Sequence, residues 1–167
     1  MAGKLHALMA AEHVQLDGLL AQAAGEGGEI AGEAYQRFRE RLLRHIRIEE
    51  RILLPMAAQR RGEALPIAAR LRLDHGALAA LLMLPPSRRT FRAIRAVLDA
   101  HNPLEDSVGG VYEQCESLAG VELDELLVQI AATPRVPVSL WVDSPRVLAA
   151  AKRALARAGY DPGLLAL

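Results

Sequence analysis

The 167-residue sequence has one cysteine, Cys115. A lone thiol cannot close an internal disulfide, so a reducing, cytoplasmic setting is expected. Aromatic residues are scarce, 4% against 51% hydrophobic in total, so any core must be built from Ala, Leu, Ile and Val. Charge of one sign is missing too: twenty basic and twenty acidic residues cancel. Without a basic surplus to neutralise phosphates, nucleic acid and anionic membrane surfaces are not expected partners. The longest apolar run, Ala77 to Leu84, falls well short of the roughly 18 residues that a membrane span needs. His6, Glu12 and His13 interrupt the apolar N-terminal stretch, which therefore does not read as a secretory signal. Glu-x-x-His, His-Glu-x-x-His, a phosphate-binding glycine loop and Gly-x-Ser-x-Gly are all absent from the sequence. Ferritin-type di-iron, zincin, P-loop and serine-hydrolase chemistries lose their usual carriers.

What remains is punctuated by glycine and proline into long helical blocks. The first spans about Lys4 to Ala24 and ends at Gly25-Glu26-Gly27-Gly28. The second spans about Ile30 to Arg61, bent at Pro55 and closed by Gly62. A third runs from near Glu63 to before Pro85-Pro86. Ser87 then reads as the N-cap of a fourth, reaching about Leu118 and disturbed at Pro103 and Gly109-Gly110. Leu16, Leu19, Leu20 and Ala23 line one face of the first block, and Leu42, Ile46, Ile48, Ile52 and Leu53 one face of the second. Four such blocks predict an all-α, up-down antiparallel four-helix bundle over residues 1–120.

Residues 121–167 read as a C-terminal extension. Val121 to Ala132 predicts a short helix, and Thr133 to Pro137 a linker. Val138-Ser139-Leu140-Trp141-Val142 alternates and predicts a strand. Ser144-Pro145 predicts the start of a last helix, with Gly159 as its C-terminal cap. A lone strand leaves both edges unpaired. It would either pair with a second copy of the chain, giving a homodimer, or lie extended on the bundle surface.

The five histidines carry the chemistry. His13 is expected on the first helix, His45 on the second with Glu49 four residues on, His75 on the third, and His101 on the fourth with Glu105 four residues on. Residues four apart on a helix share a face and lie about 6 Å apart along the axis, so each His-x-x-x-Glu offers an imidazole and a carboxylate to one point. Four inward histidines and two glutamates make a six-ligand cluster for two metal ions, with Glu49 and Glu105 bridging. Such nitrogen and oxygen donors suit iron, manganese or zinc. The two halves also align as a repeat. Glu12-His13 matches Asp74-His75, Tyr35 matches Phe91, Arg39 matches Arg95, Leu42 matches Leu98, and Ile52 matches Val108.

At HIRIEERILLP (45–55), RLDHGALAALL (72–82) and HNPLEDSVGGVYE (101–113) the chain resembles the hemerythrin-like HHE cation-binding family, over about residues 4–118. That resemblance implies a four-helix bundle with a non-haem, carboxylate-bridged di-iron site on His13, His45, Glu49, His75, His101 and Glu105. Oxygen-carrying hemerythrins have a further histidine on the third helix and an Asp on the fourth. Here Leu71 and Ala79 flank His75 at that spacing and cannot ligate, and the fourth helix offers Glu105. The resemblance therefore implies open metal positions and reactive chemistry or sensing rather than reversible oxygen carriage. The four-His, two-Glu pattern is also similar to the di-iron domain of iron–sulfur-cluster repair proteins, without their cysteine-bearing N-terminal segment.

Other polar residues read more plainly. His6, seven residues before His13, is expected at the surface. Glu50 and Asp106 lie about 100° round the helix from the ligand glutamates and are expected to be solvated. Tyr112, seven residues after Glu105, could approach the metals but reads first as core packing, and Cys115 reads as an inert core cysteine. The functional expectation is a cytoplasmic di-iron protein that binds oxygen, nitric oxide or a related small oxidant, such as peroxide, for sensing or stress response. The alternatives are a di-iron enzyme or iron donor, and a structural bundle with a redox-inert metal.

Overall fold

The computed structural model describes residues 3–25 and 29–166; the expected Glu26-Gly27-Gly28 turn lies outside them. Helix α1 covers Lys4–Ala24. Its first turn has no local cap. Instead Glu116, from helix α6 (Val111–Ala119), accepts the amides of Leu5 and His6 at 3.1 and 3.2 Å. A carboxylate there satisfies orphan donors and complements the positive end of the helix.

The second block is not one continuous α-helix. Helix α2 (Gly32–Ile48) passes into a single π-turn, Glu49–Leu53, and then into α3 (Leu54–Arg61). Pro55 has no amide to offer the preceding turn, and its ring crowds the carbonyl four residues back. The wider turn before it absorbs both problems without ending the helix. Gly62 closes α3 in the left-handed conformation, φ 81°, which only glycine adopts without steric cost. Helices α4 (Ala68–Leu81) and α5 (Arg88–Asp106) follow, and Ser87 caps α5 by accepting the amide of Thr90 at 3.2 Å.

The fourth block also breaks. It stops at Asp106, turns over Ser107–Gly110 and restarts as α6. Gly109 has φ 75°. A Cβ on Gly110 would stand 2.5 Å from the Glu105 carbonyl oxygen and 2.7 Å from that of Ser107. The glycine pair is what lets the chain double back so closely. The extension carries α7 (Leu123–Ala132) and α8 (Pro145–Arg157). Ser144 caps α8 through the amide of Val147.

The predicted strand at 138–142 is a correction. No strand forms among the described residues. The segment crosses one end of the bundle as an extended strap, fastened by the Val142 amide to the Met83 carbonyl at 2.9 Å. Trp141 lies beside Tyr35 (ring centroids 5.8 Å apart) and the guanidinium of Arg39. The helices beside it have their backbone bonds already closed, and the Met83 carbonyl, just past the end of α4, takes up one amide, so alternation found no ladder to join.

Two apolar clusters fill the bundle. One gathers Leu16, Leu20, Phe38, Leu42, Leu78, Leu81, Ile94 and Leu98, and includes Leu155 of α8. The other gathers Leu5, Met9, Ile48, Leu53, Leu71, Val111 and Cys115. Each of α1, α2, α4 and α5 crosses from one cluster to the other, in alternating direction along the chain, and each carries a histidine at the crossing. The aromatic residues paired by the internal repeat, Tyr35 and Phe91, meet edge-on in the first cluster, 5.3 Å between centroids. No helix among the described residues is long and apolar enough to cross a membrane.

Candidate metal centre

Between the two apolar clusters lies a buried polar layer. His13, His45, His75 and His101 are at most 5% exposed, and Glu49 and Glu105 at most 1%. All six residues singled out from the sequence meet there. They form two groups of four donors, His13, His45, Glu49 and Glu105 on one side, His75, His101, Glu49 and Glu105 on the other. Both glutamates belong to both groups.

The imidazoles approach through their Nε2 atoms, 3.0 Å apart for His13 and His45 and 3.2 Å for His75 and His101. Glu49 reaches His45 with one oxygen (3.0 Å) and His75 with the other (3.1 Å). Glu105 spans likewise, 3.4 Å to His13 and 3.2 Å to His101. The π-turn begins at Glu49, so the helix widens just where a carboxylate must face two partners.

The outer faces of the rings overturn one expectation. Glu50 and Asp106 are not simply solvated. Glu50 Oε1 lies 2.7 Å from His75 Nδ1, and Asp106 Oδ2 lies 2.7 Å from His13 Nδ1. A side chain 100° round from an inward glutamate points at the neighbouring helix, and on that helix stands a histidine. The arrangement is reciprocal: the first repeat's Glu50 serves the second repeat's His75, and the second repeat's Asp106 serves the first repeat's His13. A third carboxylate, Asp74, sits 3.2 Å from His101 Nδ1. Its counterpart in the first repeat, Glu12, is held instead by Arg41 through bonds of 2.7 and 3.1 Å. His45 Nδ1 is accordingly buried without a partner.

Carboxylates on Nδ1 fix three rings with their Nε2 lone pairs turned inward, the arrangement found around metal-bound histidine. Nitrogen lone pairs facing each other near 3 Å repel unless a cation or a proton lies between them. With the inward ring nitrogens unprotonated, Glu49 Oε2 and Glu105 Oε1 are also buried without a hydrogen bond. Orphaned carboxylate oxygens in a dry layer are costly, and a cation between these donors would satisfy both. The residues fit a pair of metal ions.

When no cation is there, protons take its place. Burial alone would lower the histidines, but hydrogen bonds outweigh it. Asp106 and Glu105 hold His13 up at about 9, Glu49 and Glu50 hold His75 at about 9, and Asp74 and Glu105 hold His101 at about 10. Burial would raise Glu49, yet His45 and His75 keep it well below the usual carboxylate range.

Tyr112, for which core packing is the first expectation and approach to the layer the second, is fully buried and belongs to the layer. Its Oη donates to Glu49 Oε1 at 2.5 Å and lies 3.0 Å from Glu105 Oε2. The four-residue spacing that marks the other donors could not reveal it, because the Gly109-Gly110 turn intervenes. His6 stays outside both donor groups: its Nε2 donates to the Asp106 carbonyl at 2.8 Å and braces the end of α5. Cys115 is a buried thiol that burial pushes up to about 12, consistent with an inert core residue.

The family profile described as hemerythrin HHE cation binding domain matches residues 4–109. Comparison with curated proteins and with solved structures gave no match.

Proposed function

The chain belongs to the hemerythrin HHE cation-binding family, and from that membership we propose that its buried layer holds two iron ions which bind dioxygen, nitric oxide or a related small oxidant for sensing or stress response. The observation that carries this reading is the sharing of both glutamates by two four-donor groups. Two ions so placed would supply paired redox centres with coordination positions left over for a small ligand.

The chain's own residues divide the work. His13 and His45 would hold one ion, His75 and His101 the other, and Glu49 and Glu105 both. Asp106, Glu50 and Asp74 orient three of the imidazoles and offset the positive charge of the ions. Leu71, at one of the two positions where oxygen carriers place an additional histidine, is buried in the second apolar cluster, so it contributes shape and dryness rather than a donor. The apolar clusters on both sides exclude water, which strengthens charge interactions in the layer.

The test is metal content per chain by elemental analysis of protein made in iron-supplemented cells, with spectra before and after dithionite. Two irons per chain and a near-ultraviolet band lost on reduction are expected. Zinc or no metal, unchanged after anaerobic ferrous reconstitution, would overturn the redox reading and leave a structural bundle.

A further inference from the structure

The two halves of the layer are not equivalent. The His75/His101 half has a carboxylate on each Nδ1, Glu50 and Asp74. The His13/His45 half has only Asp106, since Glu12 is taken by Arg41. That half has Tyr112 instead. The repeat position matching Tyr112, seven residues after the other glutamate, is Met56, which packs at the edge of the second apolar cluster.

The position of the phenol oxygen matters more than its proximity. Tyr112 Oη is 3.2 Å from His13 Nε2, 3.2 Å from His45 Nε2, 2.5 Å from Glu49 Oε1 and 3.0 Å from Glu105 Oε2. The four other atoms follow one another around a ring: His13 to His45 3.0 Å, His45 to Glu49 3.0 Å, and Glu105 back to His13 3.4 Å. Tyr112 Oη therefore lies within 3.2 Å of all four donors of this half. Neighbouring donors on an ion with bonds of about 2.1 Å stand about 3.0 Å apart, the bond length times √2. Five of the seven separations are within 0.2 Å of 3.0 Å, and the other two are 2.5 and 3.4 Å. A phenol that only packed against the carboxylates would have no reason to lie equally near both imidazole nitrogens.

We infer that Tyr112 is a fifth ligand, binding through its phenolate oxygen to the ion held by His13 and His45, so that the two ions differ in their donors. The inference rests on the two-metal reading above. On binding, the phenol O–H bond breaks, the proton leaves to solvent, and the oxygen lone pair forms the bond to the ion. Five protein donors would leave room on a six-coordinate ion for an external ligand. The other ion has no fifth donor from the described residues, so an external ligand meets two chemically different metals.

The experiment loads the full chain and Tyr112→Phe with ferrous iron anaerobically, oxidises both, and compares iron content, visible absorption and resonance Raman spectra. The wild-type protein is expected to show a visible phenolate-to-ferric charge-transfer band with enhanced phenolate ring modes. Tyr112→Phe is expected to lose both while keeping its helical circular dichroism and two irons. Wild-type protein with two irons but without phenolate modes would overturn the inference and leave the two-metal reading intact. A phenolate band that persists in Tyr112→Phe would assign it to another tyrosine and also overturn the inference. Failure of the wild-type chain to bind iron would overturn both. If Tyr112→Phe misfolds, the wild-type Raman spectrum still decides whether a phenolate is bound, and ring-deuterated tyrosine confirms that the modes are tyrosine's.

Discussion

Tyr160, in the C-terminal tail, donates its phenol hydrogen to Asp74 Oδ1 at 3.0 Å, and the other oxygen of the same carboxylate lies 3.2 Å from His101 Nδ1. The extension is thus one carboxylate away from the histidine–glutamate layer. Arg70 fastens the contact, reaching the Ala158 carbonyl at the end of α8 and the Tyr160 hydroxyl at 2.7 and 3.0 Å. Residues after the matched family segment therefore help to orient a histidine of the donor layer within it.

That link sets a graded expectation. Removing an outer-shell partner of a metal-bound histidine costs about 10–100-fold in metal affinity. Asp74→Asn is expected to fall in that range, and Tyr160→Phe to have a smaller effect in the same direction. Competition with a chromophoric chelator measures both; equal affinities for the wild type and Asp74→Asn would refute the orienting role.

Glu50 and Asp106 make a matched pair across the repeat. Glu50→Gln is expected to weaken the ion at His75 and Asp106→Asn the ion at His13, each by about 10–100-fold. Isothermal titration should then resolve one tight and one weakened event in each variant. Uniform weakening of both events in either variant would contradict the reciprocal assignment.

The metal-free protein should be sensitive to alkali. His13, His75 and His101 have folded-state values of about 9, 9 and 10 against an ordinary 6.5. Because the folded values are raised, protonation favours the folded state. That stabilisation is complete below about pH 6.5 and is lost as pH rises through 9 to 10. The Tm of chelator-treated protein is expected to fall across that window. Reloaded protein should decline less, since ligation replaces the protons. Thermal melts of both forms between pH 6.5 and 10 provide the check.

Gly110→Ala tests the turn that places Tyr112. Its Cβ would meet backbone oxygens of Glu105 and Ser107, neither of which can swing aside like a side chain. Overpacking of this kind costs about 1–3 kcal/mol. Urea unfolding should show the loss, and the Tyr112 ring should shift relative to the layer.

The inward donors were legible because helical spacing is a local rule: His45 with Glu49 and His101 with Glu105 needed no knowledge of neighbours. Their partners were not. Glu50, Asp106 and Asp74 each serve a histidine on a different helix, so their roles depend on which helices lie side by side. For Tyr112 approach to the layer could be named but not preferred over core packing, because a turn that rests on two glycines decides where its ring goes. The breaks at Pro55 and Gly109-Gly110 were readable as disturbances, but not as a π-turn in one case and a full break between two helices in the other. The strap at 138–142 has strand-like residues and no partner strand; composition specified extension, and only the surroundings decide whether a ladder forms.

The division of the apolar interior by a polar layer has a mechanical consequence. The core divides into two apolar clusters, so besides the helices that run through both, the two ends of the bundle are joined by the side chains of the histidines and glutamates. Ligation would act as a rivet through that seam. Amides on both sides, around Met9 and Leu16 on α1 and around Leu42 and Ile48 on α2, should then exchange with solvent in concert when the ions are bound and at separate rates when they are removed.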